Sequence, residues 1–220
     1  EYRFGLTGTL DGTQTHKLVL EGLFGPVYNV TSTKALIDDN HLSDLDIEVV
    51  LLKHPEEMCK VISKLKYPDE ISHIVSYDPR NKFIKNLALD QKGNTLVLFQ
   101  FVEKHGIPLH KMIADAAHKD RRIFFVAGMT DADTREEVRA ITETEKDAII
   151  VASLGTFSTG INIKNLHNII FASPSKSQIK VLQSIGRVLR KSATGQPAKV
   201  YDIADDLHWK SRKNYTLNHS

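Results

Sequence analysis

The chain has 220 residues, 41% hydrophobic and 25% charged, which is ordinary for a globular protein with one large domain or one domain plus a fragment. The net charge of +2 indicates no particular partner, and a single cysteine, Cys59, excludes a disulfide framework and a cysteine zinc site and fits a reducing compartment. No run is as long and apolar as a membrane span and no signal-peptide pattern opens the chain, so we expect a cytoplasmic protein without a membrane partner. It begins with Glu1 rather than Met, which we interpret as a segment of a larger protein.

The first part of the chain predicts little regular structure. Residues 4–10 are typical of a strand that runs into a Thr/Gly turn, and a short helix follows, with Thr13 as its cap and Gly25-Pro26 at its end. Residues 31–46 are polar and irregular apart from a short helix predicted near residues 33–38. We interpret this stretch as a linker.

After residue 46, strands alternate with segments of helical apolar spacing. These strands are apolar on both faces, which predicts an α/β protein with a parallel sheet covered by helices on both sides. Strands are predicted over residues 47–54, 94–101, 121–128, 147–155, 167–173 and 198–205. Helices are predicted over residues 55–67, 68–93, 102–119 with a break near Gly106, 130–146 with Thr130 or Asp131 as cap, and 175–191.

Residues 148–201 contain no Asp or Glu. A segment of one charge sign can concentrate an anion such as a phosphate or a nucleic-acid backbone, although a chance gap in the acidic residues is the alternative. The basic residues of this segment are Lys164, Lys176, Lys180, Arg187, Arg190, Lys191 and Lys199.

Two segments within this stretch carry groups suited to phosphate. The loop after the strand at 147–155 offers the hydroxyls of Ser153 and Thr156 and glycines at 155 and 160, a combination that suits phosphate oxygens but also an ordinary turn. Further on, "QSIGRVLRK" places Gln183, Arg187 and Arg190 on one helical face. Arginine suits bidentate phosphate recognition, and a solvated face paired with distant carboxylates is the alternative.

The order and spacing of four segments resemble the second half of superfamily 2 helicases, and within them the helicases of phage recombination and repair. The segments are "TGT" at residues 7–9, "LVLFQF" at 96–101, "ASLGTFSTGIN" at 152–162 and "QSIGRVLR" at 183–190. The resemblance covers nearly the whole chain and implies a RecA-like parallel sheet. It also implies that ATP binds between two RecA-like domains, of which the first holds the P-loop lysine, the Mg²⁺ carboxylate and the acidic catalytic residue.

The resemblance assigns expected roles in ATP chemistry to the second domain. Arg190 matches the arginine finger on the γ-phosphate, Arg187 a second phosphate-contacting arginine, and Gln183 a glutamine that faces the nucleotide. Gly160 matches a glycine beside the nucleotide, and Asn162 stands where many relatives have Asp, which puts the role of that position in doubt. No residue is expected to bind a metal directly.

The same resemblance implies contacts to nucleic acid and a coupling element. The residues expected at the nucleic-acid backbone are Gln100, Phe101, Ser153 and Thr156. Thr7 and Thr9 match hydroxyls that couple the nucleotide state to closure of the two domains.

Neither a G-x-x-x-x-G-K-[ST] segment nor a D-E-x-H or D-E-x-D box occurs in the sequence. We therefore expect the second motor domain of an ATP-dependent helicase or translocase for branched DNA or an RNA–DNA hybrid, inactive without its first motor domain. The alternatives are a non-catalytic helicase-fold module that binds nucleic acid and a small-molecule α/β enzyme that binds phosphate. The predicted boundaries are 1–30 for the end of the first domain, 31–46 for the linker, 47–205 for the second domain and 206–220 for a basic tail.

Overall fold

The structure is a computed structural model of the chain. It describes residues 3–6, 14–39, 41–128, 130, 132–160, 165–175, 181, 183–186 and 197–209. Within the described part of the chain, no helix has both the length and the apolar character that crossing a membrane requires.

Six parallel strands form one sheet, in the order β1-β6-β5-β2-β4-β3. All six lie where the sequence predicts them, because each is built around a short run rich in apolar residues. The central strand β2 pairs with β5 on one side and β4 on the other. The strands are β1 (Leu45–Lys53), β2 (Thr95–Phe99), β3 (Ile123–Val126), β4 (Ile149–Ser153), β5 (Asn168–Phe171) and β6 (Ala198–Asp206).

The described residues also form eight α-helices and one π-helix, of which the first two precede β1. They are α1 (Gln14–Phe24), α2 (Thr33–Asp38), α3 (Glu56–Ile62), α4 (Tyr67–Ser76), α5 (Asp78–Asp90), the π-helix Val102–Gly106, α6 (Ile107–Ala116), α7 (Ala132–Thr144) and α8 (Leu154–Gly160). Residues 183–186 are also helical.

Alternate residues of the central strand point to opposite faces of the sheet, as a period of two requires. Val97 and Phe99 of β2 pack with side chains from α5 and α6 on one face. Leu96 and Leu98 pack on the other face with side chains from α7, α8 and Val181. The predicted helical cover on both faces of a parallel sheet is therefore confirmed for the central strands.

The edge strand β1 departs from that prediction. Three of its apolar side chains, Ile47, Val49 and Leu51, are about half exposed, whereas Val50 and Leu52 pack on the face covered by α5 and α6. Among the described residues, no helix covers Ile47, Val49 and Leu51, so this strand is apolar on both sides but partly solvated on one.

Three local details differ from the sequence prediction or refine it. The segment predicted as one helix over 68–93 is divided into α4 and α5, because Pro79 lacks the N–H that would continue the first helix. The break predicted near Gly106 is a π-helix that passes into α6. The Gly/Ser/Thr segment predicted as a loop forms α8 instead.

Candidate functional site

The carboxyl ends of parallel strands lie at one edge of the sheet, which we call the carboxyl edge. β2, β4 and β5 are neighbours, so the residues at or just after their ends are brought together: Gln100 after β2, Ser153 in β4 and Ser173 after β5. This is where open parallel sheets generally place their binding sites. Two of these three residues, Gln100 and Ser153, are among those the sequence assigns to nucleic acid.

The end of β4 is organised by two hydroxyls. The N–H of Thr156 donates to Oγ of Ser153 at 3.2 Å, so Ser153 caps the first turn of α8, and the two hydroxyls lie 2.7 Å apart. This cap explains why the segment is helical rather than a loop. Both side chains are buried, whereas Gly155 between them is exposed, and a Cβ built on it would contact nothing within 4 Å. A ligand backbone can therefore approach the turn closely at Gly155.

The end of β2 is held by its neighbour. The N–H of Gln100 donates to Oγ of Ser173 at 3.0 Å, and the Gln100 side chain is exposed. Phe101 turns the other way: it is partly buried and packs with side chains of α3 and α4. Of these two predicted contacts, Gln100 is the one whose side chain is available at the surface, and the role of Phe101 stays a prediction.

Residues 181 and 183–186, within the segment predicted as a helix over 175–191, are helical. Val181 is buried and Ile185 partly buried against the sheet, while Gln183 is partly exposed and Gly186 is exposed with open space around it. The helical prediction holds for these residues. Outside the described residues lie Thr7, Thr9, Asn162, Arg187 and Arg190, together with the predicted caps Thr13 and Asp131. Gly160 is the last residue of α8.

A buried charged cluster beside this site was missed by the sequence analysis. Asp205 of β6 accepts hydrogen bonds from Nε of Arg80 at 3.0 Å and pairs with Nε2 of His54 at 2.8 Å. Burial by itself would raise the pKa of Asp205, but the hydrogen bond from His54 and the charge of Arg80 bring this pKa below its ordinary value. A carboxylate that interrupts the apolar strand at 198–205 was the one signal in the sequence that could have indicated it.

Comparison with known proteins identifies the family. Residues 69–192 match the family described as the helicase conserved C-terminal domain. The chain is 36% identical, over 99% of its length, to the ATP-dependent DNA helicase uvsW of Enterobacteria phage T4. The chain belongs to the helicase C-terminal domain family. It is thus a superfamily 2 helicase C-terminal domain, as the motifs predict.

Solved structures agree with this assignment. This helicase domain superposes on the crystal structure of T4 UvsW with a TM-score of 0.63 and 33% identity over 90% of the chain. An ATP-dependent Type ISP restriction-modification enzyme, LlaBIII bound to DNA, shares the fold with a TM-score of 0.54 and 17% identity over 88% of the chain and 14% of that enzyme. The RecA-like parallel sheet is therefore confirmed.

The chain is shorter than its relatives. It spans 45% of the length of uvsW and 39% of the UvsW chain in the crystal structure. A putative ATP-dependent RNA helicase of Methanocaldococcus jannaschii is 26% identical over 58% of the chain and 17% of its own length.

Proposed function

We propose that this domain is the second motor domain of an ATP-dependent DNA helicase that acts on branched DNA in recombination and repair. The observation that carries the proposal is the similarity to uvsW, an ATP-dependent DNA helicase, along 99% of the chain. We assign residues 1–30 to the end of the first motor domain, 31–46 to the linker, 47–205 to the second domain and 206–220 to a basic tail. The phage origin of that relative supports action in the cytoplasm of a host cell.

In this proposal the domain completes a nucleotide site that the first motor domain begins. Arg190 contacts the γ-phosphate, Arg187 contacts a second phosphate oxygen and Gln183 faces the nucleotide, with Gly160 and Asn162 beside it. The partial exposure of Gln183 and the open space at Gly186 support an approach from another domain on this side of the helix. ATP and Mg²⁺ are held mainly by the first domain, and Thr7 and Thr9 couple its closure to the nucleotide.

Arginine substitution in the full-length protein tests the nucleotide assignment. Arg190→Ala should lower DNA-stimulated ATP turnover by about 10³-fold or more, the range expected of an arginine finger. Arg190→Lys should not restore turnover, because an ammonium group lacks the planar fork of donors.

The matched control for this test is Arg122→Ala. Arg122 pairs with Glu145 at 3.1 Å beside the amino end of β3, at the opposite edge of the sheet. Arg122→Ala should leave DNA-stimulated ATP turnover unchanged. Parental turnover in both Arg190 variants would refute the arginine-finger assignment.

We further propose that the carboxyl edge carries the nucleic-acid backbone through Gln100 and the turn at Ser153 and Thr156, with Phe101 next to this surface. The exposed Gln100 side chain and the open space at Gly155 support this path. Contacts to phosphate and sugar do not read sequence, so binding should be indifferent to sequence and should weaken with salt. Each phosphate neutralised should add about −0.7 to −0.9 to the slope of log affinity against log salt.

Binding and ATPase assays with the full-length protein test this path and the kind of nucleic acid. A forked duplex, a four-way junction, a linear duplex and an RNA–DNA hybrid of equal length should be compared across a salt series. Tighter binding and greater stimulation by the branched DNA molecules are expected. A salt slope near zero would refute the backbone path, and equal stimulation by the linear duplex would refute the preference for branched DNA.

A further inference from the structure

The hydroxyl of Ser173 lies at the centre of a buried hydrogen-bonded chain at the carboxyl edge. It accepts the N–H of Gln100 at 3.0 Å and lies 2.8 Å from Nδ1 of His105. Nε2 of His105 is in turn 3.1 Å from Oδ1 of Asn81. Ser173, His105 and Asn81 are all at most 4% exposed, so water does not compete for these bonds.

The donor and the acceptor of every hydrogen bond in this buried series can be assigned. Nδ2 of Asn81 donates to the carbonyl oxygen of Val75 at 2.9 Å, which turns the acceptor Oδ1 of Asn81 toward His105. Nε2 of His105 must therefore carry the proton, and Nδ1 of the neutral ring is an acceptor. The hydroxyl of Ser173 donates to that Nδ1, and its lone pairs are left to face the N–H of Gln100.

His105 remains neutral over the whole physiological range. Its pKa is lowered to about 3, chiefly by burial and then by the positive charge of Arg80, against an opposing effect of Asp205. The acceptor at Nδ1 is therefore permanent, and the Ser173 hydroxyl keeps one orientation. The π-helix Val102–Gly106 supports this ring position, because Gly106 has no Cβ and lets the helix pack directly on the ring of Phe99.

A second anchor holds the residue before Ser173. Nη1 of Arg80 donates to the carbonyl oxygen of Ala172 at 2.7 Å, and the same guanidinium is fixed by Asp205. Two consecutive residues of α5, Arg80 and Asn81, thus hold two consecutive residues after β5, Ala172 directly and Ser173 through His105. The segment after β5 is fixed to α5 by directed bonds rather than by apolar packing alone.

These bonds act on the proposed nucleic-acid surface, because Gln100, whose N–H Ser173 holds, belongs to that surface. We propose that Ser173 is a positioning residue that holds Gln100 at the end of β2 for nucleic-acid binding, with His105 fixing its hydroxyl. This inference rests on the proposed function and adds a residue that acts through Gln100 rather than on nucleotide or nucleic acid.

Substitution of Ser173 in the full-length protein tests the inference. Ser173→Ala removes both the acceptor of the Gln100 N–H and the donor to His105, whereas Ser173→Thr keeps the hydroxyl. In Ser173→Ala, the forked-duplex concentration for half-maximal ATPase stimulation should rise at least about fivefold, the factor that one hydrogen bond represents. ATP turnover without DNA should be unchanged, and Ser173→Thr should restore the parental concentration dependence.

The control variant is Ser43→Ala, which removes an equally small buried hydroxyl just before β1, at the amino edge of the sheet. It should leave the DNA dependence unchanged. If Ser173→Ala does not fold, Ser173→Cys keeps the volume of the side chain with a much weaker acceptor and should show the same rise.

The outcomes separate this inference from the proposed function. If forked DNA does not stimulate the parental protein, the proposed function fails. If the parent is stimulated but Ser173→Ala behaves like Ser43→Ala, or loses thermal stability with no change in DNA dependence, Ser173 is structural only and the inference fails. Loss of stimulation in Ser173→Thr to the same extent as in Ser173→Ala would also overturn it.

Discussion

Acidification should destabilise the domain through His105, by an amount that the structure allows to be worked out. The ring is fully buried and its pKa is lowered to about 3, whereas an unfolded histidine titrates near 6.5. Between these two values the unfolded chain binds a proton that the folded chain does not. The free energy of unfolding therefore rises with pH in this window and falls as the solution is acidified.

The magnitude follows from the width of the window. Each pH unit below about 6.5 should cost about 1.4 kcal/mol, which gives about 2 kcal/mol at pH 5 from this one ring. That is a large part of a typical total stability of about 5–15 kcal/mol. His110 and His167 have pKa values lowered by burial as well, so the parental chain should lose more stability than His105 alone explains.

A variant isolates the contribution of His105. Urea unfolding of the parental chain and His105→Gln should be compared at pH 7 and pH 5 at constant ionic strength. At pH 7 the variant should be less stable by about 1–3 kcal/mol, because Ser173 and Asn81 lose a partner. At pH 5 this difference should shrink by about 2 kcal/mol, because the variant has no buried ring to protonate on unfolding.

The control is His118→Gln, since the His118 side chain is 81% exposed. It should alter stability little at either pH. A stability difference between the parent and His105→Gln that is the same at pH 7 and pH 5 would refute a buried, neutral His105.

Three further outcomes follow from the same structure. Arg80→Met should lower the free energy of unfolding by about 3–5 kcal/mol in urea, since it leaves Asp205 without its main charge partner; a loss below about 1 kcal/mol would contradict this. Gly106→Ala should cost about 1–3 kcal/mol, because its Cβ would clash with the ring of Phe99, while Gly22→Ala, whose Cβ would meet nothing within 4 Å, should cost nothing. The 220-residue chain alone should hydrolyse no ATP above background in a phosphate-release assay, because it has no P-loop or acidic box to hold the triphosphate and Mg²⁺; robust turnover would contradict it.

The strands could be predicted from the sequence because their signal is local. β2 and β4 are apolar runs with one hydroxyl residue at an end, Thr95 or Ser153, and all their residues are buried, as expected of central parallel strands. The order of the strands was not predicted, since it depends on which helices cross which face and on contacts far apart in the chain. The half-exposed face of β1 has the same origin, because a strand's own sequence does not state its place in the sheet.

In the candidate site, too, features that depend on residues close in sequence could be predicted, and those that depend on distant residues could not. The Ser153 turn and the Gln183 helix could be found because short motifs carry their chemistry within a few residues. Helix α8 was missed because a segment rich in serine and glycine is as compatible with a turn as with a helix. The capping hydrogen bond to Ser153, which favours the helix, is not visible in the sequence. The buried position of His105 was not predicted, since its partners Asn81 and Ser173 lie far away in sequence.

The buried polar groups of the carboxyl edge contribute more to fixing the positions of the strand ends than to the free energy of unfolding. A buried pair such as Arg80 and Asp205 loses hydration that its mutual attraction regains only with good hydrogen bonds, and apolar side chains of similar volume often stabilise a core as well. Apolar packing, however, has no direction. Just beyond Phe99 the N–H of Gln100 is held by the hydroxyl of Ser173, whose orientation is set by His105. Only groups with fixed donors and acceptors can hold that hydroxyl toward the N–H of Gln100, which is why a polar chain is expected where a strand end must keep one position while ligands bind and leave.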